Sequence, residues 1–262
     1  MNIIELLNKV NRKNIWDEEP VFCFTSDMDW ASEAVLSIFF QEIPLEEMKL
    51  TTFVTHLSEI IENLYKNQQI ERGIHPNFLF GSSHGNSFRE VIETCKTFSP
   101  EAVGSRSHRL FQVTDTAHLL KNEYGFLYSS NVINVFGTKI KPLLHESQLI
   151  EFPVFFEDGT FLYNDSRLKI EPYLNCFETP GLKIISFHPM NIVFNTPCIQ
   201  WMRALKDSMT REAFHTIDAD FIQKTKNNSS GIGNILSEIV NFVRRKNYPV
   251  LSLNEIYYKT IE

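Results

Sequence analysis

The sequence predicts an α/β barrel formed by seven or eight strand–helix units. Short runs of apolar, β-favouring residues alternate along the chain with segments whose apolar residues recur at helical spacing, which favours parallel strands with helices outside. Several runs end in residues that can bind metal, move protons or hold an anion, and the carboxyl ends of barrel strands share one face. The length of 262 residues suits one domain, with an N-terminal helix in residues 1–19 and the barrel in residues 20–262.

The predicted strands are short runs rich in Val, Ile, Leu and Phe, bounded by polar or turn-forming residues. They cover residues 21–25, 50–54, 70–74, 102–104, 126–128, 152–156, 182–187 and 249–253. The predicted helices lie between these runs, where the apolar spacing changes to the helical period. They cover residues 32–40, 58–67, 88–97, 116–122 and 233–246, followed by a short terminal helix.

The composition excludes several classes of protein. A formal net charge of -7 provides no overall electrostatic footprint for nucleic acid. The four cysteines are far apart and form no CxxC pair, so neither a disulfide framework nor a structural zinc site is expected. There is no signal-peptide core and no apolar run of membrane-spanning length. We therefore expect a cytoplasmic protein without a nucleic-acid partner or transmembrane segment, and the oligomeric state stays open.

The first candidate site is the pair of carboxylates at the end of the first strand. Asp27 and Asp29 lie on the same side if the backbone stays extended, because side chains alternate along a strand. Two neighbouring carboxylates suit one metal ligand and one acid–base group. The same residues are also typical of the N-terminal cap of the helix that follows.

Histidines downstream of the third strand are candidate metal ligands. His75 is followed by Pro76, which favours an extended backbone at a strand end, and His84 lies in the next loop. Asp29, His75 and one further histidine would leave a coordination position for water, as in catalytic zinc sites. His84 is explained equally well as an exposed loop histidine.

Further polar groups follow three later strands. Arg106 could position a carboxylate bidentately, and His108 could bind metal if His84 does not, although both also suit a surface. His188 could protonate a leaving group or be a core histidine bonded to the backbone. Glu157 and Asp158 are either a polar turn or carboxylates that orient Arg106 or a histidine.

The order of these motifs resembles that of the NodB-homology polysaccharide deacetylases, carbohydrate esterase family four and its relatives, in a divergent form. The resemblance extends from about Phe22 to Ile256. In that family a strand ends in two aspartates, which implies that Asp27 is the catalytic base and Asp29 a metal ligand. The resemblance also implies that Arg106 orients the base.

The remaining motifs of the family are matched less completely. The second motif supplies two metal-binding histidines, usually four residues apart, and here His75 is followed by Leu79. The place of the second metal-binding histidine is therefore open: His84, His108 or water would fill it, or it has no ligand. Glu157 and Asp158 resemble the fourth-motif acid, and His188 resembles the general acid of the fifth motif.

The resemblance implies a distorted (β/α) barrel and a metal-dependent hydrolase. It would remove an acyl group, expected to be acetyl, from the amide nitrogen of an amino sugar during surface polysaccharide biosynthesis. The expected cofactor is a divalent transition metal, zinc first and cobalt, nickel or iron as alternatives. The expected substrate is a carbohydrate precursor, either sugar nucleotide or lipid-linked. The alternatives are deacylation or deformylation of another small amide, and an inactive barrel that only binds carbohydrate.

Overall fold

Nine strands form one curled sheet in the part of the chain that the computed structural model describes, residues 2–164 and 167–262. In chain order they are Pro20–Asp27 (β1), Thr51–Val54 (β2), Glu71–Ile74 (β3), Gly104–Ser105 (β4), Tyr128–Ser129 (β5), Leu143–Leu144 (β6), Ile150–Glu151 (β7), Val154–Glu157 (β8) and Gly181–Phe187 (β9). Their order in the sheet is β6-β7-β5-β4-β3-β2-β1-β9-β8. Every neighbouring pair is parallel except β6 and β7.

The sheet curls back on itself beyond its β8 edge. The Val154 amide donates to the Val132 carbonyl at 2.7 Å, and the Asn134 amide donates to the Val154 carbonyl at 2.8 Å. These bonds join β8 to the segment that follows β5 in the chain. The architecture confirms the predicted α/β fold and is that of a distorted barrel.

The helices lie between and around the strands. They are Ile3–Val10 (α1), Glu33–Glu42 (α2), Leu45–Met48 (α3), Glu59–Lys66 (α4), Phe88–Phe98 (α5), Thr114–His118 (α6), Asp158–Asn164 (α7), Leu174–Glu178 (α8), Pro189–Val193 (α9), Ile199–Asp207 (α10), Arg211–His215 (α11), Ala219–Thr225 (α12), Ile232–Lys246 (α13) and Leu253–Ile261 (α14). No helix of the described residues is long and apolar enough to cross a bilayer.

Serine caps explain where several predicted helices begin. The hydroxyl of Ser32 accepts from the Val35 amide, and the hydroxyl of Ser58 accepts from the Ile61 amide, each at 3.2 Å. Such a cap satisfies one of the amides that the first turn leaves without a helical partner. The capping role therefore belongs to Ser32 rather than to the aspartates that precede it.

The central strand β1 is buried along its whole length. Its residues 20–24 form a continuous apolar run instead of an alternating one, as expected for a parallel strand covered on both faces. β1 lies between β2 and β9, and Thr25 is in register with both Thr51 and Ser186. This arrangement brings the ends of strands that are distant in the sequence to one edge of the sheet.

The predicted last strand, residues 249–253, is wrong. Only Val250 makes a β-bridge there, with Phe22. Leu253 already begins α14, because the Ser252 hydroxyl accepts from the Glu255 amide and the Glu255 carboxylate accepts from the Ser252 amide. A reciprocal cap of this kind starts a helix and ends the extended run.

Candidate metal and catalytic site

The polar residues that follow the strands meet at one edge of the sheet. A cavity of about 330 Å³ opens there, between the ends of β1, β3, β8 and β9. Most of the candidate residues line it, namely Asp27, Asp29, His75, His108, Glu157 and His188. The meeting of strand ends on one face is the arrangement that the sequence predicts.

Asp29 lies between two histidines. Its Oδ1 is 2.9 Å from Nδ1 of His108 and 3.2 Å from Nε2 of His75. One potential ligand atom from each residue lies within 4.8 Å of the others. The chain leaves the extended conformation after β1, with φ of 42° at Asp29 and 56° at Trp30, so the two aspartates do not share one strand face.

These three residues fit a divalent metal ion. The His75 ring is 1% exposed, and neither of its nitrogens makes a hydrogen bond to a described residue, although Nε2 lies close to Asp29. A buried imidazole without hydrogen bonds carries a desolvation cost, which coordination of a metal would remove. Two imidazoles and one carboxylate are a donor set suited to zinc and leave a position open.

The surroundings of Asp29 favour its ionised form, which is the form of a carboxylate that binds metal ions. Burial opposes its charge, but the neighbouring imidazoles of His108, His75 and His188 outweigh burial and hold the pKa of Asp29 well below its usual range. A carboxylate that stays ionised can bind a cation without first losing a proton.

His84, the first choice for the third ligand, lies elsewhere. Its Nε2 is 2.8 Å from the Thr55 carbonyl, and its Nδ1 accepts from the Asn77 amide at 3.1 Å. The side chain is buried, so the alternative of an exposed loop histidine is also wrong. His108, the alternative ligand, occupies the position beside Asp29.

Arg106 is completely buried beneath the cavity. Its Nη1 donates to Oδ1 of Asp27 at 3.0 Å and to the hydroxyls of Thr25 and Ser186. Its Nε and Nη2 donate to the carbonyl and hydroxyl of Ser130. Arg106 therefore contacts Asp27 through one nitrogen only, whereas the sequence suggested a bidentate pair.

His188 and Asp158 form the second close pair. The carboxylate of Asp158 accepts from the backbone amide of His188 at 2.8 Å and lies 2.7 Å from its Nδ1. Nε2 of His188 lies 3.7 Å from Oδ2 of Asp29 and 4.0 Å from Oδ2 of Asp27. Burial opposes a charge on His188, but the carboxylates of Asp158, Asp29 and Asp27 outweigh burial and hold its pKa well above the usual range.

The two adjacent acids at the start of α7 have different surroundings. Asp158 is fully buried and contacts His188 and Asn191. Glu157 accepts from the amides of Gly159 and Thr160. The sequence left open whether these acids form a polar turn or orient Arg106 or a histidine. Asp158 contacts His188 and not Arg106, so it orients the histidine. Glu157 instead accepts from amides of the first turn of α7.

Several residues of the cavity escaped the sequence interpretation. Arg109, Leu110, Ile133, Val154 and Lys206 contribute to its lining. Arg109 and Leu110 directly follow His108, so the cluster of basic residues after β4 is the signal that could have located them. No pattern in the sequence connects Lys206 of α10 with the strand ends, because the path of the chain after β9 decides its position.

Comparisons with known proteins agree with this architecture. The family model of the WbmS-like polysaccharide deacetylases matches residues 24–206. A protein of Bordetella bronchiseptica, described as a proposed polysaccharide deacetylase involved in O-antigen biosynthesis and solved as a crystal structure at 1.90 Å, is 25% identical. The similarity covers 85% of this chain and 90% of that one, with a TM-score of 0.70. No curated protein matches the chain.

Proposed function

This chain belongs to the WbmS-like polysaccharide deacetylase family, which confirms the resemblance stated from the sequence, and we propose that it is a metal-dependent hydrolase that removes an acetyl group from the amide nitrogen of an amino sugar. The observation that carries the proposal is the convergence of Asp29, His75 and His108 in a cavity that Asp27 and His188 also line. We further propose a sugar-nucleotide or lipid-linked precursor of a surface polysaccharide as substrate. The role described for the Bordetella protein, in O-antigen biosynthesis, supports this choice.

Asp29, His75 and His108 would hold the metal. Zinc suits two nitrogen ligands and one oxygen ligand, and cobalt, nickel and iron accept the same donor types. When bound, such an ion polarises the amide carbonyl and stabilises the negative charge that develops on its oxygen. The turn at Asp29 and Trp30 and the buried position of His75 support this ligand set.

Asp27 would act as the base that takes a proton from the attacking water. Arg106 holds Oδ1 of Asp27, while Oδ2 faces His188. The guanidinium is itself fixed by four further hydrogen bonds, so the carboxylate has a defined orientation. A base held in place before the reaction avoids the cost of ordering it in the transition state.

His188 would donate a proton to the departing amine. Asp158 accepts the Nδ1 proton and thereby leaves the Nε2 proton directed toward the aspartates and the cavity. The carboxylates of Asp158, Asp29 and Asp27 raise the pKa of His188, which favours the protonated form of the imidazole. A protonated group near the leaving nitrogen is what general-acid catalysis of amide cleavage needs.

The metal content of protein purified without chelator tests the ligand set. We expect near-stoichiometric zinc, or a related ion, in the unsubstituted protein and loss of most of it in His75→Ala and in His108→Ala. His84→Gln is the matched control, because His84 is a buried histidine of the same region with both ring nitrogens in hydrogen bonds. Equal metal retention in His108→Ala and His84→Gln would contradict the assignment of His108.

The product of the reaction separates the candidate functions. The proposal expects acetate release from an N-acetyl amino sugar precursor, with no release after metal removal. Release of formate or of another acid from non-sugar amides would instead support the alternative hypothesis, a hydrolase that deacylates or deformylates another small amide. Stoichiometric metal without hydrolysis of any acyl amide would support the hypothesis of an inactive carbohydrate-binding barrel. Absence of metal would contradict both hydrolase hypotheses.

A further inference from the structure

Two cations at the cavity have no part in the proposed chemistry. Arg109 belongs to the turn His108–Leu110, and Lys206 belongs to α10, yet both line the cavity that holds the proposed catalytic groups. Both residues are exposed. They come from segments far apart in the sequence and are brought together only by the fold.

Neither cation forms an ion pair with a described residue. No carboxylate of those residues lies within ion-pair distance of Arg109 or Lys206, and the aromatic contact of Lys206 is the ring of Phe214, 5.2 Å from Nζ. Some cations elsewhere do form such pairs: the exposed Lys49 pairs with Glu255 at 2.7 Å, and the half-buried Lys226 pairs with Glu42 at 2.6 Å.

The position of these two cations is informative because they line a cavity rich in acids, in a chain with a formal net charge of -7. Three acids, Asp27, Asp29 and Glu157, line the same cavity. An anionic molecule that approached these acids without compensation would be repelled. Cations beside the opening offset that repulsion and attract an anion toward the site.

The backbone gives Arg109 a defined place relative to the reacting centre. Arg109 and Leu110 both have φ of 55°, and the Leu110 amide closes the turn on the Ser107 carbonyl at 2.7 Å. Arg109 directly follows the proposed ligand His108 in the sequence, so this turn fixes the backbone of both residues. A guanidinium matches the planar oxygen pairs of carboxylates and phosphates better than an ammonium group does.

We propose that Arg109 and Lys206 bind an anionic group, a carboxylate or a phosphate, that the amino sugar carries in addition to the amide that is cleaved. This proposal rests on the proposed function, since it assigns a substrate class to the same cavity. It makes the substrate an acidic sugar derivative instead of a neutral chitin-like polymer. A carboxylate and a phosphate would both form charge-assisted hydrogen bonds with these two cations. The experiment distinguishes the two groups.

Calorimetric titration with three matched probes tests the proposal. The probes are N-acetylglucosamine, which is neutral, N-acetylglucosamine 1-phosphate, and N-acetylglucosaminuronic acid, which carries a carboxylate. Each is titrated into the protein as purified, and again into protein from which metal has been removed with EDTA and the EDTA then removed by dialysis, so that direct contact between anion and metal cannot contribute. The variants are Arg109→Gln, Lys206→Gln, the double variant, and the control Arg203→Gln. Arg203 is an exposed cation of the same helix that does not line the cavity.

We expect at least one anionic probe to bind more tightly than N-acetylglucosamine, with its Kd rising about tenfold or more in the double variant. Binding of the neutral probe, and all binding by Arg203→Gln, should stay unchanged. Whether the phosphate or the carboxylate probe shows the preference identifies the source of the charge. Rising salt should reduce the preference, because the groups are exposed.

An equal affinity for all three probes, or a preference that survives in the double variant, would overturn the proposal. Thermal denaturation of each variant checks that the fold is retained. Binding by the metal-free protein does not depend on metal or on turnover, so failure of the proposed function would appear in the metal and acetate measurements and leave this result unaffected. Failure of the anion site would appear only in the titrations.

Discussion

Replacement of Arg106 by Met tests whether the buried network beneath the cavity holds the fold as well as the site. The side chain is 0% exposed and makes five hydrogen bonds. Met fills much of the same apolar space but removes every donor. Asp27, itself 5% exposed, would then be a buried carboxylate without its cation.

The size of the effect follows from these contacts. Removal of one partner from a buried ion pair costs about 3–5 kcal/mol, because the other charge stays buried without compensation. We therefore expect Arg106→Met to lower the free energy of unfolding by about 4 kcal/mol. The Thr25 and Ser130 hydroxyls keep their own bonds to backbone carbonyls, so the uncompensated carboxylate dominates the loss.

Arg72 provides the matched control. It is also a buried arginine, and its guanidinium pairs with Glu62 and Glu101. The side chains of those two acids are 41% and 30% exposed, so water can hydrate them when the arginine is removed. We expect Arg72→Met to cost about 1.5–3 kcal/mol, the usual range for lost hydrogen bonds to charged groups.

Urea denaturation of Arg106→Met, Arg72→Met, Asp27→Asn and the double variant of Arg106→Met with Asp27→Asn measures these differences through the midpoint and the slope. Removal of the uncompensated charge should restore at least about 1 kcal/mol relative to Arg106→Met alone. The reasoning is refuted if Arg106→Met costs no more than Arg72→Met, or if Asp27→Asn adds its full cost to that of Arg106→Met.

Three further substitutions test other groups. Asp27→Asn should retain metal but abolish acetate release, and unchanged turnover would remove Asp27 as the base. Lys183 is fully buried, and burial lowers the pKa of its amine to about 8. The unfolded chain therefore binds more protons between pH 8 and 10.5, so Lys183→Met should stabilise the fold by up to roughly 3 kcal/mol below pH 8. Urea midpoints should show this gain shrinking as pH rises to 10.5, and a gain independent of pH would contradict it. A Cβ at Gly104 would lie 2.1 Å from the Tyr128 ring, so Gly104→Ala should cost about 1–3 kcal/mol by calorimetry or denaturation, and a neutral effect would show that the ring can move.

The sequence located the site residues that directly end or follow strands. Asp27 ends β1 and His188 follows β9, which both contain buried apolar runs, and Arg106 follows the short strand β4. Parallel strands then bring these residues to one edge whatever the order of the strands. For this reason the approximate place of the site could be predicted without knowledge that β1 lies beside β9.

The choice between His84 and His108 could not be made in the same way. Both lie in loops, and the loop path depends on contacts that have no periodic signal. His84 is drawn inward by the Thr55 carbonyl and the Asn77 amide, whereas the amide of His108 is held by the Pro76 carbonyl at 2.9 Å. The second contact places His108 beside the residues that follow His75 and so beside Asp29.

The site therefore divides into two parts that depend on different physical supports. The Arg106–Asp27 and Asp158–His188 pairs are fixed by buried partners that need no metal ion. Asp29 lies instead on a left-handed turn, and His75 has ring nitrogens without hydrogen bonds. Left-handed conformations of residues other than glycine cost free energy that surrounding contacts must offset. Metal coordination would supply such contacts to the ligands alone, which is why loss of the metal and loss of the base should be separable by substitution.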